Sequence, residues 1–241
     1  MAVRPLPPLI GLAHGSRDPR AAVVIGEVMR AAAAMRPGLR AIPAFLDLSE
    51  PDLVGAISKS RAEADFDTAI VVPLLFTDAF HATVDVPTAV GNAELDTGVA
   101  LRLARILGMG EEVLLALEES AARAHIGAHE AILLYAVGSS REPANIAVHD
   151  LASRWSERRL GPVWAGFGTV GSPPAADVLA RATAEGRRIG VVPLFLAPGL
   201  LLDQVARAAL DCGAEVASPL GTALAELVLL RYLEALAGAR T

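Results

Sequence analysis

The run Ala69-Ile-Val-Val-Pro-Leu-Leu75 is apolar throughout and contains no charged residue. A short continuous apolar run of this kind is typical of a central strand in a parallel sheet, which is buried on both faces. Helix-period segments lie between this run and its neighbours along the chain. The predicted strands of the first half are Leu9–Ala13, Ile42–Leu46, Thr68–Leu75 and Val99–Leu103. Alternating strands and helices predict an α/β fold with a parallel sheet flanked by helices.

The second half of the sequence repeats this pattern at a nearly constant offset. Val71-Val72-Pro73-Leu74 matches Val191-Val192-Pro193-Leu194, Phe45 and Pro51 match Phe167 and Pro173, and Gly15-Ser16 matches Gly138-Ser139. We interpret these matches as an internal duplication, with one half at about 1–124 and the other at about 125–241. Each half is predicted to be a Rossmann-like domain with a parallel sheet of about four strands. We expect the halves to be related by a pseudo-two-fold axis.

Composition and charge exclude several classes of protein. The 241 residues are 53% hydrophobic and carry a net charge of −6, which excludes a disordered chain and disfavours a nucleic-acid partner. The single cysteine, Cys212, excludes a disulfide scaffold. The uncharged stretch Ile189–Leu202 contains Pro193 and Pro198 and is too short to span a membrane. We therefore expect a cytoplasmic protein without a membrane or nucleic-acid partner.

The two halves differ where the predicted strands end. Four titratable residues of the first half are replaced in the second: His14 by Val137, Asp47 by Thr169, Glu50 by Ser172 and His81 by Leu201. Ligands of parallel α/β sheets bind at the carboxyl ends of the strands, where these residues fall. One interpretation is neutral drift of loop residues. The joint loss of two histidines and two carboxylates instead favours acid–base or metal chemistry in the first half.

Three motifs of the first half resemble a known family. They are Leu12-Ala-His-Gly-Ser-Arg-Asp-Pro19, Ala44-Phe-Leu-Asp-Leu-Ser-Glu-Pro51, and Val72-Pro-Leu-Leu-Phe76 followed by His81, Asp85 and Pro87. In this order they are similar to the motifs of the sirohydrochlorin chelatases, the cobalt- or iron-inserting enzymes of cobalamin and sirohaem synthesis. Long members of that family are duplicated like this chain. The sequence departs from the family pattern in having Asp47 where a glutamate is usual.

The resemblance implies insertion of Co²⁺ or Fe²⁺ into a tetrapyrrole, with the metal ion as a substrate and no organic cofactor. It makes His14 and His81 the metal ligands, since neutral imidazole binds these ions and can also accept a proton. His81 is the preferred candidate for the base. Glu50 would orient the substrate or relay protons, and Asp47 and Asp85 would orient the ligand side chains. An ordinary helix N-terminal carboxylate is an equally open interpretation of Asp85.

The substrate implied by the resemblance is a polycarboxylate, which arginine binds well. Ser16, Arg17 and Arg20 follow the first histidine and are candidates for substrate contact. Arg141 matches Arg17 in the second half, which favours a structural role instead. We expect a monomer or a weak homodimer.

Two other classes of protein stay open. A non-catalytic carrier of metal or tetrapyrrole would need the same ligands. A histidine phosphatase or mutase would use a His-Gly pair such as His14-Gly15, but Ala13 stands where a cation for the phosphate would be needed. The absence of a Gly-x4-Gly-Lys-Ser/Thr loop from the sequence indicates an ATP-independent enzyme. The sequence leaves cobalt, iron and nickel open as the metal, and sirohydrochlorin and precorrin-2 open as the tetrapyrrole.

Overall fold

A computed structural model of the chain describes residues 6–78 and 81–238, except the side chains of residues 81 and 82. The first sheet and its helices comprise β1 (Leu9–Ala13), α1 (Pro19–Ala34), β2 (Ala41–Phe45), α2 (Leu53–Glu63), β3 (Thr68–Pro73), α3 (Val86–Thr97) and β4 (Ala100–Leu103). A π-helical turn, His81–Asp85, precedes α3. The strands are parallel and lie in the order β2-β1-β3-β4. The predicted parallel sheet of four strands is confirmed.

The second half forms another sheet of the same kind. Its elements are α4 (Glu111–Arg123), β5 (Ala131–Ala136), α5 (Glu142–Ser156), β6 (Val163–Phe167), α6 (Ala175–Ala184), β7 (Ile189–Pro193), α7 (Leu200–Asp211), β8 (Glu215–Val216) and α8 (Ala225–Ala237). The parallel order β6-β5-β7-β8 repeats that of the first sheet. Pro73 and Pro193 are the last residues of β3 and β7. The predicted duplication is therefore confirmed.

Each sheet is buried because helices cover both of its faces. In the first sheet, Ile10, Leu12 and Val71 form one apolar cluster with buried side chains of α2 and α3, while α1 packs beside β2 and α8 beside β3. The start of α1 is encoded locally, since the Asp18 side chain accepts a hydrogen bond from the Arg20 N–H at 2.9 Å. Pro19 is the first residue of the helix, where its missing N–H costs no hydrogen bond.

The two sheets belong to two compact units whose last helices are exchanged. Unit 1 contains the described residues up to Gly108 and those from Gly221 onward, and unit 2 contains Met109–Leu220. The C-terminal helix α8 therefore belongs to unit 1, where it packs against β3 and α1. The helix α4 belongs to unit 2, where it packs against β7.

Buried groups of α8 explain why it belongs to unit 1. Tyr232 is fully buried and donates a hydrogen bond from its hydroxyl to the Pro7 carbonyl at 2.8 Å. Arg231 is only 8% exposed, and it donates to the carbonyls of Ile106 and Leu107 at 2.9 and 2.8 Å. A buried guanidinium needs such partners. The expected boundary at 124/125 follows the sequence repeat, whereas packing divides the chain after Gly108 and after Leu220.

The helices of this fold are short or carry charged residues. Within the part of the chain that the structure describes, we find no helix with the length and apolar character needed to cross a membrane.

Candidate functional site

The strand order places the candidate site at a switch point of the first sheet. Strand β2 pairs with one side of β1, and β3 pairs with the other side, so the direction of the strand order reverses at β1. Open α/β sheets bind ligands at the carboxyl ends of strands where the order reverses in this way. His14 follows β1 directly, and Asp47 and Glu50 lie in the loop after β2. His81 begins the π-helical turn after β3, and its side chain lies outside the described residues.

Main-chain contacts join the loop of His14 to the loop of Asp47. The Asp47 N–H donates to the His14 carbonyl at 3.0 Å, and the Leu46 N–H donates to the Ala13 carbonyl at 2.9 Å. Gly15 makes this approach possible, because a Cβ there would lie 1.7 Å from the Asp47 carbonyl oxygen and its φ is +97°. The His14 side chain is half-buried, and its Nδ1 atom is fully buried.

A pair of serines fixes the two loops further. The Ser49 hydroxyl accepts from the Ser16 N–H at 3.0 Å and donates to the Ser16 carbonyl at 2.9 Å. The Ser16 hydroxyl in turn accepts from the Asp18 N–H at 3.0 Å. The residues around His14 are thus held from both directions, and the Ser16 side chain is already engaged in the turn that leads into α1.

The loop after β2 contains a tight turn centred on Leu48. The Ser49 N–H donates to the Asp47 carbonyl at 2.8 Å, which closes a three-residue turn. The φ of Leu48 is +60°, a region that bulky side chains rarely adopt. Such a conformation costs on the order of 1–3 kcal/mol and tends to occur at functional sites. An Asp47 carboxylate oxygen accepts from the Leu48 N–H at 2.8 Å and supports the turn.

The charged candidates of this edge differ in their surroundings. Asp47, Glu50 and Arg17 are exposed. The Arg20 guanidinium donates to the Asp18 carboxylate from Nε at 2.9 Å, and this contact holds the pKa of the Asp18 carboxyl below its usual value. The structure thus pairs Arg20 with a residue of its own helix start, which favours the structural interpretation of this residue.

Asp85 ends the π-helical turn that His81 begins, four residues earlier. The segment is helical, as the proposed pairing of these two residues requires. Asp85 also immediately precedes α3, where a carboxylate is favoured by the helix dipole. Both interpretations of Asp85 therefore remain compatible with its position.

The equivalent edge of unit 2 keeps the main-chain contact between its two loops but changes the side chains and the turn at the position of Leu48. The Thr169 N–H donates to the Val137 carbonyl at 2.9 Å, as the Asp47 N–H does to the His14 carbonyl. Gly138 has φ of +93°, and a Cβ there would lie 1.9 Å from the Val170 carbonyl oxygen. The side chain of Val137 is 43% exposed. The hydrogen bond places His14 and Val137 at equivalent positions, although Gly138 approaches a carbonyl one register position later than Gly15 does.

Both repeats of the chain match one known protein family. The sequence profile of the CbiX family matches residues 8–124 and again 131–235, so that both repeats are covered. The chain belongs to the CbiX family. A search of curated protein sequences gave no significant match.

Three solved structures resemble this CbiX chain along almost its whole length. SirB from Bacillus subtilis with Fe³⁺ is 20% identical, with 97% of this chain and 96% of that chain covered and a TM-score of 0.80. SirB from Bacillus subtilis subspecies spizizenii in complex with cobalt is 20% identical, with the same coverage and a TM-score of 0.78. A CbiX described as the terminal enzyme of sirohaem biosynthesis in denitrifying bacteria is 18% identical, with coverages of 97% and 99% and a TM-score of 0.68. At these identities the likeness shows a common fold.

Sequence reasoning missed the residues that hold the CbiX site in shape. Ser49 and Leu48 lie inside the second motif, but the partner of Ser49 is Ser16, 33 residues away. The turn at Leu48 is closed by a bond between main-chain atoms of Asp47 and Ser49. In unit 2, Asn145 takes the place of Ser49: its side chain accepts from the Ser139 N–H at 2.9 Å and donates to the Ser139 carbonyl at 2.8 Å. The sequence signal that could have identified these residues is a hydroxyl or amide side chain close to a glycine that forms a turn.

His125 and His129 are four residues apart, a spacing that would suit a metal site only on a helix. The two residues lie after α4 and outside any helix, and His125 has φ of +57°. Within residues 6–78 and 81–238, setting aside the side chains not described, no group of three or more His, Cys, Asp or Glu residues could hold a metal ion.

Proposed function

We propose that this CbiX protein inserts cobalt or iron, as the divalent ion, into sirohydrochlorin or a related tetrapyrrole without ATP. The observation that carries the proposal is the position of His14 at the switch point of unit 1, tied to Asp47 through its carbonyl, in a chain of the CbiX family. SirB structures of the same fold hold Fe³⁺ or cobalt. Val137 at the equivalent position argues for one site, in unit 1.

Insertion exchanges one divalent ion for the two pyrrole N–H protons of the macrocycle. We assign the ion to His14 and His81 before transfer, since imidazole binds cobalt and iron reversibly. His81 is the proposed base, because an imidazole that releases the ion can take up a pyrrole proton. The contacts of the His14 loop support the assignment, since they hold one ligand still while the ring is brought to it.

The carboxylates take supporting roles in this proposal. Glu50 is exposed in the loop after β2 and accepts or relays a proton on its way to solvent. Asp47 is tied to Leu48 by its carboxylate and to His14 by its N–H, so it positions the metal-binding loop. Asp85 orients the imidazole of His81 from the same helical turn.

The substrate's carboxylates need cations at the edge of the site. Arg17 is exposed and forms no ion pair with a carboxylate within the described ranges, so we assign it to the substrate. We also assign Ser16 to the substrate because it directly precedes Arg17. Its hydroxyl accepts the Asp18 N–H and so holds the turn. Arg20 is directed to Asp18 and becomes available to the substrate only by leaving that pair.

Spectroscopic turnover tests the proposal. Purified protein is mixed with a large excess of metal-free sirohydrochlorin and Co²⁺, Fe²⁺ or Ni²⁺ without ATP, and the absorption bands are followed. We expect many equivalents of metallated product per protein, above the rate in buffer and with heat-denatured protein. At most one equivalent would identify a carrier and overturn the enzyme. Parallel reactions with precorrin-2 and the three ions assign the preferred substrates.

A further inference from the structure

Leu48 combines two features that seldom occur together. It is the central residue of the tight turn after β2, with φ of +60°, and its apolar side chain is 46% exposed. Glycine or asparagine would adopt this φ more readily. An exposed leucine gains little from packing inside its own unit. Packing within unit 1 therefore does not explain why leucine occupies this strained position.

The surroundings of Leu48 keep the turn in this conformation. The Ser49 N–H bonds the Asp47 carbonyl, and the Ser49 hydroxyl is locked to the main chain of Ser16 on both sides. The main chain of Asp47 is also joined to His14. The loop is therefore fixed at both of its ends, and Leu48 directly follows Asp47, whose N–H bonds the carbonyl of the candidate metal ligand His14.

Unit 2 provides the comparison. Val170 takes the place of Leu48 in the register and is 55% exposed. Among the described residues other than glycine, positive φ occurs at Leu48 and His125, so Val170 has ordinary backbone geometry. The strained turn thus occurs in the unit that has the titratable residues and is missing from its counterpart in the described chain.

We propose that Leu48 is a substrate-contacting residue that packs its side chain against the apolar face of the tetrapyrrole beside His14. The inference rests on the proposed function and adds a determinant of substrate binding to it. A tetrapyrrole offers a flat apolar ring inside an acidic periphery. Arginines suit the periphery, whereas the ring needs an aliphatic or aromatic surface close to the metal ligand. Leu48 supplies that surface.

The test replaces Leu48 by asparagine, which tolerates the same φ but removes the apolar contact. Leu48→Asn is expected to weaken binding of metal-free sirohydrochlorin about tenfold in equilibrium dialysis and to raise KM by a similar factor. The value of kcat should change much less, and the unfolding temperature should not fall. Leu48→Met should restore most of the affinity. Leu95→Asn is the matched control, since Leu95 is 85% exposed near the end of α3, away from the strand ends that carry His14.

The outcomes separate this inference from the proposed function. If the unsubstituted protein metallates sirohydrochlorin and Leu48→Asn binds it equally well, the inference is wrong and the function stands. A clear loss of unfolding temperature in Leu48→Asn would also overturn the inference, because the side chain would then serve the fold. If the unsubstituted protein neither binds nor metallates sirohydrochlorin, the proposed function fails and the inference fails with it.

Discussion

The strand-end edges of the two units have nearly the same main chain and very different side chains. In both, a glycine with positive φ follows the first strand, and the loop after the second strand donates a hydrogen bond back to the residue before that glycine. That residue is His14 in unit 1 and Val137 in unit 2. The difference teaches that the glycine and the main-chain contact belong to the fold, whereas the histidine is free to serve another purpose.

The side chain that holds the serine shared by the two halves also differs between the units. Ser16 is held by Ser49 from the loop after β2, so two loops of the site are joined by side chains. Ser139 is held by Asn145, which lies in the helix α5 that follows its own loop. In unit 2 the Thr169 hydroxyl joins the corresponding loops by donating to the Val137 carbonyl at 2.8 Å, whereas in unit 1 the Ser16–Ser49 pair couples the histidine loop to the loop that carries Asp47 and Glu50. We infer that this coupling serves the chemistry of unit 1.

Replacing the histidine should have the largest effect. His14→Ala removes a proposed metal ligand and is expected to lower the rate of metal insertion by more than about 10²-fold, since even the loss of a partner that orients a metal ligand costs about 10–100-fold. The fold should persist, because the main-chain contact to Asp47 does not need the imidazole. Initial rates with sirohydrochlorin and Co²⁺, together with circular dichroism of the same samples, measure both effects.

Val137→Ala is the matched control for this substitution. The side chain of Val137 is 43% exposed, so its truncation should change the free energy of unfolding by no more than about 0.5 kcal/mol. A larger loss would be expected of a buried side chain. Equal losses of activity in His14→Ala and Val137→Ala would show that unit 2 takes part in the chemistry. They would contradict the assignment of the site to unit 1 alone.

The order and type of the elements could be predicted from the sequence because each strand has its own apolar run. The strand at Leu9–Ala13 was predicted to the residue. The second strand was predicted at Ile42–Leu46 and lies one residue earlier, at Ala41–Phe45. Periodicity shows that a helix has an apolar face but not which sheet that face covers, so the exchange of α4 and α8 could not be predicted.

The next comparison concerns the two side chains that hold the serines. Asn145 is 4% exposed, so Asn145→Ala removes two hydrogen bonds to the Ser139 main chain from a buried side chain and should cost about 1–3 kcal/mol of the free energy of unfolding. Ser49→Ala removes the same two bonds from Ser16, but at a half-buried position where water can replace them. We expect a loss of about 1 kcal/mol or less there. Urea denaturation measures both variants.

Activity should show the opposite order. Ser49→Ala loosens the link between the two loops of the candidate site and should reduce the rate of metal insertion, whereas Asn145→Ala should leave the rate per folded molecule nearly unchanged. A greater loss of activity in Asn145→Ala than in Ser49→Ala would contradict the idea that the coupling in unit 1 serves the chemistry.

The candidate site was predictable only in its outline. Residue types and strand ends identified His14, Asp47 and Glu50 as neighbours of one sheet edge, because the carboxyl ends of parallel strands meet there. The partners of individual side chains were not predictable, since they depend on loop conformations that the pattern does not encode. Arg20 illustrates this point: its sequence position suggests substrate contact, but the folded loop directs it to Asp18.

The smallest effect concerns the start of the first helix in each unit. Asp18 caps α1 and is paired with Arg20, which holds the pKa of the Asp18 carboxyl below its usual value. Its contribution to stability is therefore complete above the pKa of an unfolded aspartate, about 3.9. It decreases as the pH falls from there through the lower pKa of the folded state, because the folded protein must then take up a proton that breaks the pair. Glu142 takes the place of Asp18 in unit 2 and is exposed at the start of α5.

Urea denaturation of the unsubstituted protein and of Asp18→Asn at low salt tests whether the contribution of Asp18 to stability decreases as the pH falls. The difference in the free energy of unfolding should be constant from pH 7 to about pH 5 and should shrink below about pH 4, as the carboxylate becomes neutral first in the unfolded state and then, at lower pH, in the folded state. Added salt should reduce the difference at neutral pH, since the Arg20 side chain is 53% exposed and the pair is screened. Glu142→Gln should show a smaller difference, because no ion pair to Glu142 occurs among the described residues. A difference for Asp18→Asn that stays constant from pH 7 down to pH 3 would mean that the hydrogen bond of the cap, and not the charge, stabilises this end of the helix.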